Sequence, residues 1–234
     1  MKKNPRNLKK NQNNGFIYVA TCKPSYLNAA IFSAESLREY YPEANITLFT
    51  EERLKDGSPL DIFNEVYYDA PNNPRAKLWA LSRTPYDLTV YLDSDIEIMS
   101  DEITTIFDQM PKSADILLTK IRGYNSKIHL FPGGELTDHC GMFMYRNDLK
   151  VLTFMDEWWN LWQKQSSEEW KWDLKLYPEE LRQWDQWSYW WLQNKTTYAI
   201  RREYFNDDAR WNFINGYKYS ETDKDIILYH HTIK

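Results

Sequence analysis

The first 120 residues predict an α/β fold, a mostly parallel twisted sheet flanked by helices in one domain. Three observations carry this. Apolar, β-prone runs alternate with segments of helical periodicity. The first such pair closes a β-α-β unit, which requires a parallel pairing with a right-handed crossover. A later run, Val90-Tyr91-Leu92, stops abruptly at Asp93-Ser94-Asp95, as strands do where a sheet edge opens onto a polar cleft.

The elements follow in order. Gly15 to Thr21 reads as a buried strand and Lys23-Pro24-Ser25 as a turn. Leu27, Ala30, Ile31, Ala34 and Leu37 recur at helical spacing and end before Pro42. Asn45 to Thr50 is a second strand and Val66 to Tyr68 a third. Arg75 to Arg83 is a short helix, Leu88 to Leu92 the strand that delivers the acids, Ile103 to Met110 a helix and Asp115 to Thr119 a strand. Residues 121 to 138, with Gly123, Pro132, Gly133 and Gly134, form the longest loop, a length that tends to be functional. Cys140 to Tyr145 returns as a strand. Leu149 to Gln165 and Glu179 to Gln193 read as helices rich in Trp, and Tyr198 to Arg201 and Ile226 to His230 as short strands.

Length and composition bound the function. At 234 residues the chain suits one domain with a large core. No apolar run approaches the ~20 residues of a membrane span, and no apolar core follows the N-terminal basic residues as a secretory signal would need. Cys22 and Cys140 are the only cysteines and form no paired motif, which fits a reducing, cytoplasmic setting. Lys2, Lys3, Arg6, Lys9 and Lys10 crowd an acid-free opening, and the remainder holds 24 basic against 34 acidic residues. That acidic body argues against nucleic acid as a partner. Residues 1–14 read as a disordered basic tail, with weak peripheral contact to an anionic inner membrane surface as its one membrane role. Of 11 Trp, nine lie between Trp158 and Trp191; core packing and a stacking face for sugar are the two uses open to them.

Asp93 and Asp95 alternate around Ser94, so both carboxylates can face one side. Two ionised carboxylates at the end of an apolar strand need a cation or a polar cleft. Hard oxygen ligands suit Mg²⁺ or Mn²⁺, with substrate phosphates completing the shell. Asp-x-Asp also occurs in solvated turns and N-caps, and position gives it weight here. Lys77, with Arg75, offers cations for phosphate oxygens on the helix before the acidic strand. In Asp138-His139-Cys140-Gly141, Gly141 at a strand opening suggests close approach of backbone to ligand, or a bulge. Asp185-Gln186, read as lying inside a helix between Trp184 and Trp187, should be hydrogen-bonded or bind ligand hydroxyls. His230 and His231 end a strand on opposite faces, so one of the two can complete a metal shell.

In this order the pieces resemble the GT-A glycosyltransferases, the nucleotide-sugar-dependent enzymes with an Asp-x-Asp motif, and within them sequences of the family 8 kind. The resemblance spans roughly residues 15 to 234. Phe16 to Thr21 looks like the strand that cradles the nucleoside, which places Ala20 and Thr21 at the donor. Lys77 to Leu81 and Pro85-Tyr86-Asp87 look like the run into the acidic strand. Gly141 to Arg146 resembles the strand after the donor-sugar loop, Asp185-Gln186 the pair facing the donor sugar, and Trp211-Asn212-Phe213 an aromatic-Asn segment near the active site. The late histidine of the family ligates metal and leads into Gly and Lys-Pro-Trp; here Thr232, Ile233 and Lys234 follow, with Lys234 in the place of that lysine.

The resemblance implies a Rossmann-like domain in two parts, residues 15–120 for the nucleotide and 121–234 for donor sugar and acceptor. It implies metal-dependent transfer of a sugar from a nucleotide-diphosphate sugar, a UDP-sugar first, to a hydroxyl on a glycan or glycoconjugate, with retention of configuration. Asp93, Asp95 and His230, or His231 in its place, would hold Mn²⁺ or Mg²⁺. Ala20, Thr21, Lys77, Ser94 and Gly141 would line the donor, with Lys77, Asp185 and Gln186 catalytic. A noncatalytic carbohydrate-binding protein on a degenerate transferase fold and a nucleotidyltransferase are the alternatives. A phosphatase of the haloacid dehalogenase type wants its Asp-x-Asp near the N-terminus and Thr or Val four residues after the first acid, where this chain has Glu97.

Overall fold

The computed structural model describes residues 13–54, 59–121, 130–131, 134–167, 184–214 and 225–231. Most of the expected tail (1–12), Trp170, Trp172 and Lys234 lie outside them.

The expected β-α-β unit is present. Strand β1 (Asn14–Ala20) runs into helix α1 (Pro24–Tyr40), with Pro24 in its first turn, and returns as β2 (Ile46–Thr50), parallel to β1. Leu27, Ala30, Ile31, Ala34 and Leu37 form the buried stripe of α1, as their spacing predicts. Then come β3 (Glu65–Tyr67), α2 (Ala76–Leu81), β4 (Leu88–Leu92) and β5 (Ile96–Ile98). A 3₁₀ helix (Asp101–Gln109) follows, its first turn capped by the Ser100 hydroxyl, which accepts the Glu102 N–H at 3.2 Å. β6 (Ile116–Lys120), the short hairpin β7 (Leu130–Phe131) and β8 (Gly134–Glu135), β9 (Asp138–Arg146) and α3 (Leu149–Ser166) come next. The chain closes with α4 (Asp185–Lys195), β10 (Arg202–Tyr204), α5 (Asp208–Trp211), β11 (Phe213–Ile214) and β12 (Leu228–His230).

Seven strands form the central sheet in the order β10-β6-β9-β4-β1-β2-β3, parallel except where β9 runs against β4 and β6. A second sheet, β11-β12-β5, receives the chain directly after Asp95. Alternation along the strands feeds two cores. Phe16, Tyr18, Leu88, Val90 and Leu92 pack with α1 on one face. Ile17 and Tyr91 pack with Leu78, Val151, Phe154, Trp158 and Tyr189 on the other.

Three expectations are corrected: the loop read over residues 121 to 138 holds the β7–β8 hairpin, and its last residue, Asp138, opens β9. The strand read at Tyr198 to Arg201 forms instead at Arg202–Tyr204. The Ile200 and Arg201 N–H groups are taken by side chains, Gln193 Oε1 and Asp115 Oδ2, each at 2.8 Å, so the ladder to β6 starts at Arg202. Asp185 does not lie inside a helix but is the first residue of α4, where the positive end of the helix dipole favours a carboxylate.

Gly15 tests the packing. A Cβ there would lie 2.3 Å from Cζ of Tyr86, a buried ring whose hydroxyl bonds Thr47 at 2.7 Å and cannot swing aside. Gly15→Ala is expected to lose about 1–3 kcal/mol in urea unfolding through overpacking.

Candidate active site

The buried strand β4 ends at the carboxyl edge of the sheet and projects Asp93. The Asp93 N–H donates to the Gly141 carbonyl at 2.7 Å, which fixes the start of the acidic turn. Ser94 is half-buried within it, and Ile96 opens β5. β12 pairs antiparallel to β5 with His230 opposite Ile96, so the late histidine is delivered beside Asp95. His230 Nε2 stands 3.1 Å from Asp95 Oδ1 and 3.9 Å from Asp93 Oδ2. One ligand atom from each of the three lies within 4.8 Å of the others. His231 turns the other way and meets Glu97 Oε2 at 2.8 Å, while its N–H donates to the Asp95 carbonyl. The expected alternation therefore separates the two histidines, and His230 is the one that joins the acids.

Asp93 is held on its other oxygen. Tyr91, two residues earlier on the same face of β4, donates its hydroxyl to Asp93 Oδ1. Lys77 Nζ, from α2, reaches the same Oδ1 at 3.1 Å. Oδ2 is thereby the oxygen turned toward His230. Lys77 also donates to the Cys140 carbonyl at 3.0 Å and forms an ion pair with Asp185 Oδ2 at 2.9 Å, so its ammonium is enclosed by three oxygens. Burial alone would lower the Lys77 pKa, but the Asp185 and Asp93 carboxylates outweigh it and hold Lys77 above its ordinary value. Burial likewise pushes Asp185 up, and Lys77 and then Arg75, at 3.7 Å, bring it below the usual carboxylate range.

Tryptophans anchor the start of α4. Trp158 Nε1 donates to the Asp185 carbonyl at 2.9 Å, and Gln165 Nε2 to the Trp184 carbonyl at 2.7 Å. Trp158, Trp162, Trp187 and Trp190 are buried, so these four are core residues, while Trp159, Trp184 and Trp191 are half-exposed. Gln186 follows Asp185 in the first turn, half-buried. Ala20 ends β1 and Thr21 follows it at the same sheet edge as Asp93, with the Thr21 hydroxyl donating to the Asn73 carbonyl at 2.7 Å.

Gly141 sits within β9, not at its opening, beside a register shift. Leu118 pairs with Phe143, but Thr119 pairs with His139. The shift brings the Gly141 backbone against the acids. A Cβ there would lie 2.6 Å from both Asp93 Oδ2 and His230 Cε1, and 2.7 Å from His139 Cε1. The close approach read from sequence is thus made to the site's own side chains.

Four residues escaped the sequence assignment of the site or were only touched by it. Tyr91 was within reach, two positions from Asp93 on one strand face. The sequence sets His139 beside Gly141 and, by resemblance, Asn212 near the active site, without their partners; only Thr119 lay beyond reach. Asn212 Nδ2 meets Thr119 Oγ1 at 3.0 Å and His139 Nδ1 at 2.9 Å, and its Oδ1 meets His230 Nδ1 at 2.9 Å.

No protein-family model and no curated protein matches the sequence. Solved structures do match in fold. The chain superposes on the glycosyltransferase GlyE of Streptococcus pneumoniae with a TM-score of 0.62 at 13% identity, covering 94% of this chain and 55% of that longer one. It superposes on the galactosyltransferase LgtC, solved with donor and acceptor sugar analogues, with a TM-score of 0.54 at 16% identity, covering 93% and 86%. Mouse xyloside xylosyltransferase 1 gives 0.56 at 12% identity, covering 93% and 97%. At these identities the likeness is one of fold: a mostly parallel seven-stranded α/β sheet flanked by helices, the GT-A glycosyltransferase architecture. Among the described residues no helix is long and apolar enough to cross a membrane.

Proposed function

We propose that this protein transfers a sugar from a nucleoside diphosphate sugar to a hydroxyl acceptor, with a divalent ion held by Asp93 Oδ2, Asp95 Oδ1 and His230 Nε2. The observation that carries the reading is the convergence of those three atoms at the carboxyl edge of a glycosyltransferase fold. The donor set fits Mn²⁺ or Mg²⁺. Neighbouring ligands of an octahedral ion, each about 2.1 Å from it, stand about 3 Å apart. The 3.1 and 3.9 Å separations approach that value and need only small side-chain shifts.

A bound ion supplies electrostatic stabilisation of the diphosphate leaving group. Lys77 ties Asp93 to Asp185 and so fixes the metal side of the site against the sugar side. Asp185, kept ionised by Lys77 and Arg75, accepts hydrogen bonds from donor-sugar hydroxyls, and Gln186 lies beside the reacting carbon. Ala20, Thr21, Ser94 and Gly141 line the donor. Residues 15–120 serve the nucleotide and 121–234 the sugar and acceptor. The family 8 likeness favours a UDP-sugar, a glycan or glycoconjugate acceptor and retention.

The test is release of nucleoside diphosphate from a panel of nucleotide sugars in Mn²⁺. Asp95→Ala is expected to lower the rate at least about 100-fold, the scale of losing one electrostatic element of a site. Pyrophosphate release would point to nucleotidyl transfer. Glycan binding with neither release nor metal-dependent donor binding would point to a lectin-like role.

A further inference from the structure

The network around Asn212 has a fixed direction, and the direction starts at a backbone atom. The Gly141 N–H lies 3.1 Å from His139 Nδ1. A backbone N–H can only donate, so His139 Nδ1 is an acceptor. The Asn212 atom 2.9 Å from that nitrogen must then be the amide NH₂, whose second hydrogen goes to Thr119 Oγ1. This turns Oδ1 of Asn212 to His230 Nδ1, which must carry a proton to donate to it. The neutral imidazole then has its lone pair on Nε2, the nitrogen that faces Asp93 and Asp95. Asn212 is 2% exposed and Thr119 fully buried, so water does not compete for these bonds.

We propose that Asn212 and His139 are positioning residues for the metal centre: oriented by the Gly141 amide, they hold His230 in the one tautomer that presents Nε2 as a ligand. Neither residue is a ligand. His139 acts by orienting the Asn212 amide, and Asn212 acts on His230. The inference rests on the metal reading proposed above.

The test is Mn²⁺ affinity, read by electron paramagnetic resonance without nucleotide sugar, with thermal melts alongside. Asn212→Leu, similar in shape and without polar atoms, is expected to weaken binding about 10–100-fold, the usual effect of removing the partner of a ligating histidine. Asn212→Asp keeps an acceptor for His230 in either orientation, although its second oxygen then faces the His139 lone pair, and should bind more tightly than Asn212→Leu. His139→Leu should weaken binding in the native background, where the amide can then flip, and should not weaken it in the Asn212→Asp background, where either oxygen accepts from His230. A merely structural role would give the same His139 penalty in both backgrounds. That result overturns the proposal, as does native-like binding by Asn212→Leu or Asn212→Asp no better than Leu. If Asn212→Leu does not fold, the His139→Leu comparison in the two backgrounds decides. A native protein that binds no Mn²⁺ overturns the metal reading and this inference together; native binding with insensitive variants overturns this inference alone.

Discussion

Gly141→Ala is expected to weaken Mn²⁺ binding at least about 100-fold, at an overpacking cost of about 1–3 kcal/mol in stability. The added methyl would enter a space where Asp93 Oδ2, His230 Cε1 and His139 Cε1 already stand within 2.7 Å of it. Asp93 is held through Oδ1 by Tyr91 and Lys77, and the two imidazoles through Nδ1 by Asn212, so the three side chains yield only by straining those bonds. The Gly141 backbone is not left-handed, so alanine adds no conformational strain and lowers the entropy of the unfolded chain. The stability loss is therefore that of local overpacking, about 1–3 kcal/mol. The atoms that must yield are two of the proposed ligand side chains and the ring that orients Asn212. Even small displacements there separate the ligand set, and a loss of at least about 100-fold in Mn²⁺ affinity follows, beyond the usual second-sphere effect. Electron paramagnetic resonance and a thermal melt on the same sample check both halves. Native Mn²⁺ affinity in the alanine variant would show that the three side chains do not converge on Gly141.

Local pattern carried much of this. The α1 stripe from Leu27 to Leu37 and the apolar run ending at Asp93 are periodic signals, and both survive in the structure because nothing long-range opposes them. The strand expected at Tyr198 to Arg201 shows the opposite case: the side chains of Gln193, seven residues before Ile200, and of distant Asp115 claim its N–H groups, and strand periodicity registers neither. The histidine pair lies between. Alternation separates His230 from His231, but only the pairing of His230 with Ile96 decides which faces the acids. Thr119, His139 and Asn212 come from β6, β9 and the end of α5, and no local spacing links them. The Asp185-Gln186 pair was readable as a polar pair among tryptophans. Its partner, Lys77, is expected near phosphate from sequence, whereas folding commits its ammonium to Asp93, Asp185 and the Cys140 carbonyl.

That commitment makes Lys77→Met the variant with the largest expected loss of stability, about 3–5 kcal/mol at neutral pH in urea unfolding, because removing one partner leaves buried charge without compensation. The Asp185 side chain is 4% exposed, and its remaining cation, Arg75, stands 3.7 Å away on the other oxygen. The pH dependence follows from the directions of the shifts. In the native protein Asp185 is held below its unfolded value, so its contribution is present above about pH 4 and lost as the pH falls through the folded pKa. Lys77 is held above its unfolded value of 10.5, so its contribution is complete below that pH and lost only as the pH rises through the folded pKa. Without Lys77, burial pushes Asp185 upward against Arg75 alone, and protonation relieves the unpaired charge. The stability gap between native and Lys77→Met should therefore narrow as the pH is lowered from 7 toward about 4. Lys77→Met/Asp185→Asn removes both charges and should recover about 1–3 kcal/mol of the loss, the range over which neutralising a buried pair differs from breaking it. Under the proposed function, that repaired protein remains inactive toward nucleotide sugars, because the carboxylate that accepts the donor hydroxyls is gone. Recovery of stability with recovery of turnover would make the Lys77–Asp185 pair structural only, and no recovery in the double variant would show that the two side chains do not depend on each other.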